Sequence, residues 1–125
     1  MIITLCGSTR FKDEYELVAK ELALQGHTVL SVNLFAHADN IELTQEQKIR
    51  LDNAHKQKIS ISGAIYVINK NQYIGESTYG EIDWAERLGK KIFFLEDINT
   101  TSPAEEAVDN VVDKEDIAQE DKANK

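Results

Sequence analysis

Two glycines, two hydroxyls and a pair of carboxylates fall together in Gly75-Glu76-Ser77-Thr78-Tyr79-Gly80-Glu81. The segment follows an apolar run, Ala64-Ile65-Tyr66-Val67-Ile68, and leads into Ile82-Asp83-Trp84-Ala85. A hydroxyl-bearing loop therefore sits where a strand hands over to a helix, the edge at which open α/β sheets bind ligands. Glu81, in about the first turn of that helix, is placed to face a ligand as nucleophile or base. A Glu there also serves simply to complement the helix dipole.

A second loop of similar chemistry, Gly7-Ser8-Thr9-Arg10, follows the apolar start Ile2-Ile3-Thr4-Leu5-Cys6. Gly7 permits a tight turn and close backbone approach. Ser8 or Thr9 can cap the following helix, and Arg10 offers a bidentate donor to phosphate or carboxylate. Neither a GxGxxG fingerprint nor a Walker lysine is present. The other loop, from Asn69 to Glu81, is long for a strand-to-helix connection, and long loops in compact domains tend to be functional. Asn69 heads it, and Tyr73 within it is expected either to cover a pocket or to pack. The two loops should meet at the carboxyl edge of one sheet, making Gly7, Ser8, Thr9, Arg10, Asn69, Gly75 and Ser77 a candidate ligand-binding set around Glu81. The histidines His37 and His55 lack metal-ligand spacing, so no metal site is expected. Cys6 reads as a small buried hydrophobe. Tyr79 and Trp84 read as packing or subunit-contact residues.

These loops need a scaffold. Strands are expected at Ile2–Leu5, His27–Val32, Ala64–Asn69 and Lys91–Leu95. Helices are expected from Phe11 to about Gln25, from Thr44 to about Ser62, and from Ser77 to Leu88. Gly26 fits a C-cap, and Thr44 with Gln47 makes a capping box. Ile49, Ala54, Ile59 and Leu51 mark the apolar face of the second helix. Strands alternating with helices imply βαβ units with right-handed crossovers. The fold class is α/β: a single-domain open parallel sheet of four to five strands with helices on both faces, flavodoxin- or Rossmann-like.

At 125 residues, with 42% hydrophobic and 29% charged side chains, the chain suits one soluble domain and has no membrane-spanning run. The start lacks a charged n-region and reads as a first strand. One cysteine excludes an internal disulfide, and a reducing cytoplasm is the expected compartment. The net charge is -8, with no basic face, which argues against duplex nucleic acid as partner. Residues 1–100 are expected to form the domain. Residues 101–125 carry eight acids against three lysines and are expected to form an acidic helix, striped by Val108, Val111 and Ile117, ending in a solvated tail.

Taken together, these residues resemble the nucleoside 2-deoxyribosyltransferase-like family, which includes deoxyribosyltransferases and 2'-deoxynucleoside 5'-phosphate N-hydrolases. The resemblance runs from about Ile2 to Leu95 and is carried by Cys6-Gly7-Ser8-Thr9-Arg10-Phe11 and by Tyr73-Ile74-Gly75-Glu76-Ser77 through Glu81, Ala85 and Gly89. It implies that Glu81 is a catalytic nucleophile, ionised near its helix start, and that Ser77 and the first loop bind phosphate. It also implies a small-molecule nucleoside or nucleotide substrate, no cofactor, and a homo-oligomer. Two positions depart from the family pattern. Gly63 stands where active members carry an Asp just before the third strand, and His55 falls near a further acid on the second helix.

The implied activity is cleavage or transfer at the N-glycosidic bond of a 2'-deoxynucleoside or its 5'-monophosphate. The alternative is a nucleotide-binding or sensing protein with the same pocket and no turnover, for which Gly63 argues. A flavin-binding flavodoxin-like protein is a weaker third reading. A response-regulator receiver is disfavoured, because Cys6-Gly7 and Asn69 stand where it needs acids.

Overall fold

A computed structural model describes residues 1–98 of the chain. Its elements run β1 (Ile2–Gly7), α1 (Lys12–Leu24), β2 (Thr28–Leu30), α2 (Gln45–Ser60), β3 (Ala64–Ile68), α3 (Glu76–Arg87) and β4 (Lys91–Phe94). The strands pair in the order β2-β1-β3-β4, all parallel. The expected α/β class is met, with four strands among the described residues. The acidic segment 101–125 lies outside them.

Alternation along the strands explains the layers. Ile3 and Leu5 of β1, with Ala64 and Ile68 of β3, pack against Tyr15, Val18 and Leu22 of α1. Cys6, Ile65 and Val67 point the other way, onto Ile59 of α2 and Ile82 and Ala85 of α3. Both faces of the two central strands are thus apolar and covered, as a parallel sheet requires. On the face shared by α2 and α3, Cys6 is the last side chain of β1 before the loop. The packing that buries Ile65 and Val67 carries this thiol to the edge where the loops begin.

Three differences from expectation are local. β2 runs only from Thr28 to Leu30, and the Ser31 carbonyl just beyond it accepts from Lys58 Nζ at 2.6 Å. α1 has no hydroxyl cap: its N-cap position is Phe11, while Ser8 Oγ accepts from Arg10 Nε at 3.1 Å and Thr9 Oγ1 accepts from the His37 N–H at 3.1 Å. α3 begins at Glu76 with Gly75 in the N-cap position and no side-chain cap. The capping box on α2 is present, with Gln47 N–H donating to Thr44 Oγ1 at 3.1 Å and Thr44 N–H donating to Gln47 Oε1 at 2.9 Å. Along α2, Ile59 is buried and Ile49 is half exposed.

The Gly63 departure loses its weight. Gly63 precedes β3 at the amino edge of the sheet, where its N–H donates to the Ile2 carbonyl at 2.9 Å and a Cβ would meet Met1. A side chain at 63 would stand at the end of the sheet opposite the loops.

Gly7 is fixed by geometry. Its φ is +147°, and a Cβ there would lie 2.8 Å from the Ile68 carbonyl oxygen. The close approach sets β1 against β3 at the point where both loops begin. Gly7→Ala should therefore destabilise the protein by about 1–3 kcal/mol, read by denaturant unfolding. Unchanged stability would contradict this account of the junction.

Candidate active site

The carboxyl edge of the sheet opens into a cleft of about 750 Å³. The first loop supplies Gly7, Ser8, Thr9 and Arg10; the third supplies Tyr73, Gly75, Glu76 and Ser77. Leu51, Asp52, His55 and Lys58 enter from α2, and Thr78 and Glu81 from α3. The segment after β2 adds Leu34, His37 and Ile41. The first amide N–H groups of a helix, here those of Glu76, Ser77 and Thr78, have no intrahelical acceptors. With no side-chain cap on α3, they make the start of this helix receptive to an anion.

Glu81 lies a turn deeper, in a cluster with Cys6 and His55. One ligand-type atom from each lies within 4.8 Å of the other two. His55 Nε2 is 3.5 Å from Cys6 Sγ and 3.9 Å from Glu81 Oε1. The side chains of His55 and Glu81 are 7% and 16% exposed, and Cys6 is fully buried. Burial pushes the Glu81 carboxyl up to about 8; the Cys6 hydrogen bond and the Lys56 charge oppose this, and Asp52 adds to it. Burial, then the Lys58 charge, drives His55 down to about 4, against a hydrogen bond to the Leu5 backbone. Burial and Glu81 raise the Cys6 thiol. At neutral pH the cluster therefore holds a carboxylic acid, a thiol and a neutral imidazole. The expectation that a helix start keeps Glu81 ionised is opposed by this burial. The dipole is worth about 0.3–1 kcal/mol, whereas desolvating a carboxylate costs several kcal/mol.

The remaining expected residues separate clearly. Gly7, Ser8, Thr9, Arg10, Gly75, Ser77 and Glu81 are brought together around the cleft. Asn69 is not: it is fully buried, donating from Nδ2 to the Glu96 carbonyl at 2.9 Å and accepting the Glu96 N–H at 2.8 Å. Its amide ties β3 to the chain after β4. Arg10 lies over the Tyr73 ring at 4.6 Å, and Phe11 meets the same ring edge-on at 6.1 Å, so Tyr73 both lines the cleft and packs. Asp39 pairs with Lys12 at 3.1 Å. Trp84 packs on the α2–α3 core and its indole donates to the Lys56 carbonyl at 3.3 Å.

Composition and spacing missed the Cys6–His55–Glu81 convergence, since the three residues share no local motif. Two signals carried it. Cys6 has the opposite strand parity to Leu5, and His55 lies four residues before the buried Ile59, on the face of α2 that meets the sheet.

Several solved structures share the fold. The CMP N-glycosidase BcmB of Clostridium botulinum superposes with a TM-score of 0.52 at 20% identity, over 75% of this chain and 70% of that one. A 2-deoxyribosyltransferase from Leishmania mexicana superposes with a TM-score of 0.55 at 19% identity, over 74% of this chain, which spans 62% of that protein. No protein-family model matches the chain, and no curated protein sequence matches it. The resemblance read from the sequence is met at the level of the fold.

The buried carboxyl makes stability depend on pH. An unfolded Glu releases its proton near 4.5 and folded Glu81 only near 8, so between those values the folded state holds the extra proton and stability falls as pH rises. Glu81→Gln mimics the protonated form and removes this titration. Its stability relative to wild type should grow by about 2 kcal/mol between roughly pH 6 and pH 8, as measured by denaturant unfolding. A difference that does not change with pH would contradict the assigned ionisation.

Proposed function

We propose that this protein breaks or transfers the N-glycosidic bond of a 2'-deoxynucleoside or its 5'-monophosphate. Glu81 serves as the nucleophile. The observation that carries the reading is a carboxyl group at the wall of a nucleotide-sized cleft, one turn below an uncapped helix start. The fold shared with a CMP N-glycosidase and a 2-deoxyribosyltransferase supports it.

In this reading the 5'-phosphate sits at the start of α3 with Ser77, and Ser8 and Arg10 face it from the first loop. The sugar then lies over Glu81. The Glu81 carboxylate attacks C1', the C1'–N bond breaks with its electron pair leaving on the base, and a glycosyl ester forms. Water or another base attacks C1' and releases the carboxylate. This is the covalent route of retaining glycosidases. The leaving base takes its proton from solvent, which reaches it through the cleft that Asp52 and Glu76 line. A homo-oligomer belongs to the same reading. Its support is that Leu34 and Ile41 at the cleft mouth are 40% and 42% exposed.

Two observations favour a second reading, nucleotide binding without turnover. Glu81 is protonated at neutral pH, and His55 stands where the resembled family often carries an acid.

Base release from the four 2'-deoxynucleoside 5'-monophosphates and their nucleosides, measured by chromatography with a chelator present, separates the two. Catalysis by the Glu81 carboxylate predicts a rate that rises about tenfold per pH unit and levels near pH 8. It also predicts a loss of at least about a thousandfold in Glu81→Gln. Release that is equal in the variant would sink the nucleophile. Nucleotide binding with no release at any pH would select the second reading.

A further inference from the structure

Cys6, His55 and Glu81 together present a thiol, an imidazole and a carboxyl, the three side-chain types that zinc prefers. We propose that they form a binding site for one thiophilic divalent cation, Zn²⁺ above all, with a fourth coordination position open to the cleft.

The distances suit it. Zinc bonds of about 2.0–2.3 Å in a tetrahedron place neighbouring ligand atoms about 3.3–3.7 Å apart. The Cys6–His55 and His55–Glu81 pairs already stand at 3.5 and 3.9 Å, and the whole set lies within 4.8 Å, so closure of at most about 1–1.5 Å, within reach of side-chain rotation, completes three corners. His55 is prepared as a ligand. The Leu5 backbone holds one ring nitrogen, leaving Nε2 turned to Cys6 and Glu81. Such a backbone partner fixes the tautomer and orientation of metal-bound histidines. All three positions are anchored from different elements: Cys6 by β1, His55 by α2 and Glu81 by α3. Charge also balances: one thiolate and one carboxylate together neutralise Zn²⁺, and metal binding releases the protons these ligands carried. Cleft access comes through His55 and Glu81, both of which line it.

Occupation has a consequence for the activity proposed above, although the site does not depend on it. A Glu81 oxygen bonded to zinc is withdrawn from C1', so metal and covalent intermediate exclude one another. The cation is accordingly an inhibitor of base release and no part of the reaction.

The test is titration of the metal-free full chain with Co²⁺, followed by displacement with Zn²⁺, in the absence of nucleotide. Cys6 is the only cysteine in the chain, so any thiolate-to-cobalt charge-transfer band reports it alone. One equivalent of Co²⁺ should produce that band and the intense visible absorption of a tetrahedral ion, and one equivalent of Zn²⁺ should abolish both. Cys6→Ser should lose the charge-transfer band. His55→Ala should bind more weakly by more than the roughly tenfold to hundredfold that loss of a mere orienting partner costs. Glu81→Gln, which keeps shape and neutrality, should weaken binding as well, and it stays informative if the other variants fold poorly. Absence of the band at one equivalent in wild type, or its persistence in Cys6→Ser, overturns the site. A bound metal with no base release in metal-free protein would leave the site standing and the enzymatic reading fallen; release without metal binding would do the reverse.

Discussion

The Glu81 carboxyl is held out of water between a thiol and a neutral imidazole, and the energetic cost of ionising it there constrains everything built around it. Among the described residues, no Lys or Arg side chain pairs with it. Lys56 acts on it only through its field, while Asp52 pushes the other way. A group in that setting stays protonated until a neighbour, a ligand or a metal supplies compensation. The ionised form of Glu81 is thus a conditional state of the molecule. The cleft and the uncapped helix start both lie where such compensation would arrive.

The fold delivers this arrangement by packing. A parallel sheet covered on both faces must bury every side chain of its central strands. Cys6 is buried for the same reason as Ile65 and Val67, by strand parity. His55 is buried for the same reason as Ile59, by helical spacing. Apart from the buried Thr4–Ser62 hydroxyl pair, Cys6, His55 and Glu81 bring polar chemistry to the carboxyl edge, where the apolar layers end. Gly7, whose missing side chain lets β1 approach Ile68 closely, brings the two ligand loops side by side. Asn69, read from sequence as a ligand contact, instead closes the backbone of the chain after β4. The same edge needs its own hydrogen bonds satisfied before it can serve a ligand.

Much of this was legible in the residues. The βαβ order, the capping box at Thr44 and Gln47, and the meeting of the first and third loops follow from periodicity and turn chemistry, which are local. Long-range terms were hidden. Thr9 looks like a cap for α1 but accepts from the His37 N–H across the loop after β2, a partnership no spacing rule announces, while Ser8 closes a local turn onto Arg10. Gly63 looked like a lost functional group until its place at the opposite edge of the sheet was known. The ionisation of Glu81 reversed between sequence and structure. Helix position favours the charge by a small amount, whereas burial, visible only in three dimensions, opposes it by more.

The central claim is that this buried carboxyl carries the sugar. Intact-protein and peptide mass spectrometry on acid-quenched mixtures of protein and 2'-deoxynucleotide, at a pH above 8 with chelator present, tests it directly. The account predicts a deoxyribosyl ester on the peptide containing Glu81, absent in Glu81→Gln. An ester on any other carboxylate, or base release under these conditions with no ester detected, would contradict it.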